Sequence, residues 1–166
     1  MANKSNKVTY HSKYIGIDPG VSGGITMIDR YKKVKTFKCP DKVIDMAMLF
    51  QICIGNTAPE NVKFLMERVW ARPTNGSRHA FTYGVNYGQW LGIAASHDIH
   101  THTELPLNWM KWFGCPKGME VRKRKNWLKD KAKELYPKLK KITLATSDSI
   151  LITHYAKHSD YFKEKK

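Results

Sequence analysis

Short apolar runs broken by turn-forming dipeptides set the pattern of the first hundred positions, and two of these runs close on an acid. Tyr14-Ile15-Gly16-Ile17 ends in Asp18 and then breaks into Pro19-Gly20. A short run with β-branched residues, stopped by turn chemistry, predicts a buried strand that delivers a carboxylate to its end. Residues 24–28 and 31–37 predict two more strands in hairpin connection, with Asp29-Arg30 as the tight turn. Residues 41–54 carry Val43, Ile44, Met46, Leu49, Phe50, Ile52 and Cys53, too dense for a narrow stripe but suited to a helix lying on a sheet, with Asp41 as its N-cap. Val62-Lys63-Phe64-Leu65-Met66 is a strand that again ends in a carboxylate, Glu67. The intervening helix suggests a crossover, which would set this strand parallel to the first and bring Glu67 near Asp18.

The second half is read the same way. Residues 68–77 form a loop holding Arg68, Trp70, Arg72 and Asn75-Gly76. Residues 78–96 read as a helix on which Gly84, Gly88 and Gly92 recur every fourth position, a smooth face for close approach of another helix, inside the chain or between subunits. A strand over 99–105 and a short helix over 106–114 follow. Residues 117–141 are rich in lysine and arginine, with Trp127, Leu128, Ala132 and Leu135 on an apolar side, which predicts a basic amphipathic helix ended by Pro137. The last helix, 146–157, places Asp148, Leu151, Ile152 and Tyr155 on one face, so a carboxylate sits on the core side of its first turn. Local readings remain open for two of the acids: Asp18 before Pro-Gly suits a turn cap, and Asp148 suits an N-cap.

Composition narrows the function. A 166-residue chain that is 42% hydrophobic can bury a core without staples, so residues 13–160 are expected to form a single domain between a flexible basic arm at 1–12 and a basic tail at 161–166. The formal charge of +15 points to a polyanionic partner, nucleic acid ahead of an anionic membrane. Cations in the basic stretch and before it, Arg72, Arg78, Lys117, Arg122, Lys123 and Lys125, are candidate DNA contacts. No apolar run approaches the ~20 residues that span a bilayer, and the first residues lack a signal peptide's apolar core, so a cytoplasmic protein without membrane contact is expected. Cys39, Cys53 and Cys115 form no CxxC pair and read as free, mostly buried thiols. His97, His100 and His102 invite a metal reading, yet histidines spaced along a strand are more often surface or supporting groups.

Two strand-end carboxylates plus one on a core-facing helical turn, in so basic a chain, match the needs of two-metal phosphodiester hydrolysis. Two cations about 4 Å apart must be held by several oxygens, and carboxylates suit Mg2+ or Mn2+. The chain also resembles a family, the RuvC-like Holliday junction resolvases of the RNase H-like superfamily, in its phage and organelle branch. The resemblance lies in Ile15-Gly16-Ile17-Asp18-Pro19-Gly20 with Ser22-Gly23-Gly24, in Met66-Glu67-Arg68-Val69-Trp70, in the glycine helix, in 106–111, in 131–137 and in Ser147-Asp148-Ser149-Ile150-Leu151-Ile152. It implies an α/β RNase H-like fold, a mixed central β-sheet flanked by α-helices. It further implies a homodimeric crossover junction endodeoxyribonuclease, serving DNA recombination or repair, that resolves four-way and branched DNA by symmetric nicks. The compartment would be the host cytoplasm if the chain is phage-encoded.

By matching position, Asp18, Glu67 and Asp148 would bind two Mg2+ or Mn2+ ions per active site, with no small-molecule organic cofactor. Trp70 would stack on bases at the opened junction, and the glycine helix would form the dimer interface. Lys111, Arg122, Lys123 and Lys125 fall near the family's phosphate-contacting lysines. One position departs: the family places another acid or a histidine three residues before the last aspartate, where this chain has Ala145. Three carboxylates would then suffice, or a second cation would be held weakly, or the residue is a deliberate inactivating change. Two other readings stand beside the resolvase, an RNase H-like nuclease on another nucleic acid and a catalytically silent protein that binds junctions or duplexes.

Overall fold

Gly16 interrupts an otherwise apolar strand, and the reason lies on the layer above it. A Cβ at Gly16 would run into the side chain and backbone nitrogen of Thr153, so the last helix rests directly on the first strand. Gly24 on the neighbouring strand repeats the device, since a Cβ there would come within 2.5 Å of the Ala145 carbonyl oxygen. Small buried hydroxyls fill the seam: Thr26 and Ser149 share a 2.8 Å hydrogen bond, and Thr153 donates to the Thr26 carbonyl at 3.2 Å. Glycine's missing side chain is what permits this approach.

The computed structural model describes residues 12–69 and 76–162. Five strands, β1 (Lys13–Asp18), β2 (Gly24–Ile28), β3 (Val34–Lys38), β4 (Val62–Glu67) and β5 (Thr101–Glu104), form one sheet in the order β3-β2-β1-β4-β5. β1 runs antiparallel to β2, and β2 to β3, while β1, β4 and β5 are parallel. The helices are α1 (Val43–Ile54), α2 (Ser77–Ser96), α3 (Pro106–Trp112), α4 (Val121–Leu135) and α5 (Ser147–His158), with a short 3-10 turn at Pro59–Asn61. This is the expected mixed α/β sheet flanked by helices.

Strand alternation sorts the core into two layers. Ile15 and Ile17 of β1 and Phe64 and Met66 of β4 pack with Met46 and Phe50 of α1 and Trp90 of α2. Leu65 faces the other way, onto Trp109, Leu128, Ala132 and Leu151 of α3, α4 and α5. Register pairs Ile17 with Met66, so the next residues, Asp18 and Glu67, end adjacent parallel strands.

Several boundaries differ from the sequence reading. β3 starts at Val34, because Asp29 accepts the backbone N–H groups of Tyr31 and Lys33 and so organises a longer loop than a tight turn. α1 is preceded by Lys42, not Asp41, and has no side-chain cap. α4 begins only at Val121, after Gly114 and Gly118 turn the chain at positive φ, and stops at Leu135, before Pro137. Thr146 rather than Asp148 takes the N-cap position of α5, and its hydroxyl accepts the Thr143 N–H at 3.0 Å. All three cysteines are free, with Cys39 and Cys53 buried. Among the described residues no helix is long and apolar enough to cross a membrane.

Candidate active site

The parallel pair β1 and β4 presents Asp18 and Glu67 at the carboxyl ends of its strands, the edge where open α/β sheets commonly bind ligands. α5, seated on Gly16 and Gly24, brings the first-turn Asp148 to the same edge, where it is 8% exposed. The three acids sense one another. Burial holds Asp18 well above the ordinary carboxylate range, and the charges of Glu67 and Asp148 push it further. Glu67 is pushed up to about 7 by burial and then by Asp148, and Asp148 is raised by burial. Like charges gathered in a poorly solvated pocket disfavour ionisation unless a cation joins them.

Fixed donors and cations oppose that repulsion. The Trp109 indole N–H donates to Glu67 Oε2 at 2.9 Å, and the Ser147 hydroxyl donates to Asp148 Oδ1 at 3.0 Å. Lys125 lowers all three carboxyls, and Arg124 lowers Glu67 and Asp148. The turn after Asp18 is held from α2: Asn86 Oδ1 accepts the Gly20 N–H at 2.7 Å, and the Tyr83 ring lies against Gly20, which has φ 109°. Glu104 ends β5 in register with Glu67, but its oxygens are taken by the Leu105 N–H, the Asn108 amide and the Tyr155 hydroxyl. It anchors α3 rather than joining the three acids.

The remaining sequence candidates separate. Of the predicted cations, Lys125 reaches the acids electrostatically, whereas Lys111, Lys117, Arg122 and Lys123 are exposed on α3, α4 and the loop between them, and Arg78 is exposed in the first turn of α2. Trp70 and Arg72 lie outside the described residues. Gly84, Gly88 and Gly92 are exposed, and among the described residues a Cβ at any of them would meet nothing within 4 Å, so none of the described elements packs on this face. Phe81, 74% exposed, and Val85 lie beside it. His100 and His102 stack edge to face at 4.6 Å near the start of β5, at the other end of the strand from Glu104. Sequence reasoning missed Trp109 and Asn86, and counted Arg124 only as one more cation of the basic run; the one signal available for the first two was a donor-bearing side chain at a mostly apolar helical position.

The donor set has the chemistry of a hard-cation site, oxygen ligands with excess negative charge at a partly open edge. Among the described residues, however, no three His, Cys, Asp or Glu side chains are grouped closely enough to hold a metal ion directly. The fit is to a cation that keeps several of its own waters and is bound through one or two carboxylates, as Mg2+ usually is. Ala145 adds only a methyl group to this edge.

A mixed five-stranded sheet in this order, with helices on both faces, is the RNase H-like fold. Solved structures of the same fold include RuvC of T. thermophilus in complex with a Holliday junction substrate, at TM-score 0.58 and 15% identity over 89% of this chain and 96% of that one. A second Thermus thermophilus RuvC structure matches at TM-score 0.56 and 15% identity, over 87% and 95%. At that identity the likeness establishes a RuvC-like fold. No protein-family model and no curated protein sequence matches the chain.

Proposed function

We propose that this chain is an endonuclease that resolves four-way and other branched DNA, working as a homodimer with a divalent cation at Asp18, Glu67 and Asp148. The observation that carries the reading is the convergence of three mutually repelling acids, with Lys125 and Arg124 beside them, on a RuvC-like fold. A bound Mg2+ or Mn2+ would supply Lewis-acid chemistry, polarising the scissile phosphate and activating water; the two-ion form is the reading favoured here. Asp18, Glu67 and Asp148 would share it, one or two of them binding directly and the rest through the cation's own waters. Lys125 and Arg124 would attract the phosphate and neutralise charge as it develops. Lys117, Arg122, Lys123 and Arg78 would contact backbone phosphates, and Trp70 would stack on bases opened at the crossover.

The outward face of α2, with Gly84, Gly88 and Gly92, is the surface proposed to meet a second copy, because two sites on a two-fold axis suit a substrate with two equivalent strands. The test is a purified protein incubated with an immobile four-way junction and a matched linear duplex in Mg2+, Mn2+ or EDTA. Paired, metal-dependent nicks confined to the junction are expected, and Asp18→Asn should bind the junction without cutting it. A second reading has its own support in Ala145 and in the lack of a close ligand group among the described residues: a protein that binds junctions without cleaving them. Tight binding with no cleavage in either metal would select it, and Ala145→Asp would then be the next variant.

A further inference from the structure

We infer that Trp109 is a positioning residue that orients Glu67 for cation binding, an assignment that rests on the metal-dependent reading of the site. Two buried indoles of this chain meet opposite fates. Trp90, on the face of α2 that meets the sheet, is fully buried, and among the described residues its ring nitrogen has no hydrogen-bond partner. Trp109, 1% exposed in the opposite layer, spends its single donor on Glu67 Oε2. The terminal torsion of a glutamate is broad, so an N–H fixed in the core sets the plane of the carboxylate and leaves its other oxygen to face a ligand.

The donor is itself held from two sides. Glu104 accepts from the Leu105 N–H at 2.7 Å and from the Asn108 amide at 2.8 Å, which pins the start of α3 to the end of β5. Tyr155 of α5 donates to the other Glu104 oxygen at 3.0 Å. A continuous path of hydrogen bonds and short backbone therefore runs from α5 through Glu104 and α3 to Glu67. It couples the helix that carries Asp148 to the orientation of the second acid. Such supporting partners commonly govern metal affinity by 10–100-fold.

The experiment titrates Mn2+ into the DNA-free protein, read by the electron paramagnetic resonance of free Mn2+, for the wild type, Trp109→Phe and Glu67→Gln. Because Phe leaves space in a packed layer, a second replacement puts benzothienylalanine at 109, which keeps the ring shape and lacks the N–H. Both Trp109 replacements are expected to bind Mn2+ about 10-fold or more weakly. Junction affinity in EDTA should stay within about twofold of wild type, since phosphate contacts dominate it. In the Glu67→Gln background the benzothienyl replacement should change nothing further. If Glu67→Gln loses Mn2+ binding while the benzothienyl protein retains it, the positioning role is overturned and the metal site stands. If the wild type binds no Mn2+ at millimolar levels, or Glu67→Gln binds as well as wild type, the reading of the site falls and the role of Trp109 with it.

Discussion

A methyl group added at Gly16 would overlap Thr153, whose helix also carries Asp148. Gly16→Ala is therefore expected to cost about 1–3 kcal/mol, as overpacking usually does, and to weaken cleavage by lifting α5 from the sheet; the urea midpoint and the nicking rate check this. Asn86→Ala leaves the Gly20 N–H without its acceptor, at an expected cost of about 1–3 kcal/mol, and loosens the turn that follows Asp18. His154 supplies a pH dependence. Its Nδ1 bonds the Tyr136 hydroxyl at 2.8 Å, its ring lies among Trp112, Phe113 and His158, and Lys157 is close by. Burial first, then the charges of His158 and Lys157, lower it from 6.5 to about 4. The unfolded chain thus takes up a proton below about 6.5 that the folded chain refuses until about 4, so the contribution of His154 to stability falls as pH drops through that window, against the opposite trend of the buried acids. Denaturant melts should show the stability of wild type relative to His154→Gln falling as pH drops across the same window. Strand-end acids are visible in a sequence because a carboxylate after an apolar run stands out locally. The partners of those acids, Trp109 and Arg124, lie in helices whose patterns look like ordinary core and ordinary basic surface.

At the level of elements, the strands follow alternation and turn chemistry, and their order along the chain was legible for that reason. Helix ends were less so. A basic run from 117 to 141 contains a shorter helix because two glycines at positive φ and one proline bound it, and periodicity does not weigh single residues. The glycines of α2 show the opposite limit: their spacing predicts a smooth face but not the direction it faces. With nothing within 4 Å of a Cβ at Gly88 among the described residues, a side chain can start there without a clash, and Leu gains somewhat under ~1 kcal/mol of helix propensity over Gly. Gly88→Leu should therefore keep or raise the stability of the folded subunit while converting a dimer to monomer and abolishing paired nicking. Sedimentation together with a junction assay reads both; a Gly88→Leu dimer that nicks in pairs would reject α2 as the dimer surface.

On the scale of the whole molecule, charge governs behaviour. Replacing Lys117, Arg122 and Lys123 with glutamine should weaken junction and duplex binding alike and reduce the slope of log affinity against log salt by about 0.9 for each phosphate that is no longer neutralised. The three acids are raised in the folded chain, so their protons are retained while those of the unfolded chain are lost, and stability without cation declines as pH rises toward neutrality. Added Mn2+ should accordingly raise the melting temperature more at neutral pH than in mild acid, with Asp18→Asn losing the difference. By itself the sequence determined the strand pattern, the two acids that end strands and the excess positive charge, because periodicity, turn chemistry and charge are properties of neighbouring residues. Tertiary structure decided that α5 brings Asp148 to the edge where those acids end, that Trp109 donates to Glu67 and Asn86 accepts from Gly20, and that no described element covers the glycine face of α2. Each of these depends on which helix lies on which strand, and that is set by close packing between residues far apart in the chain.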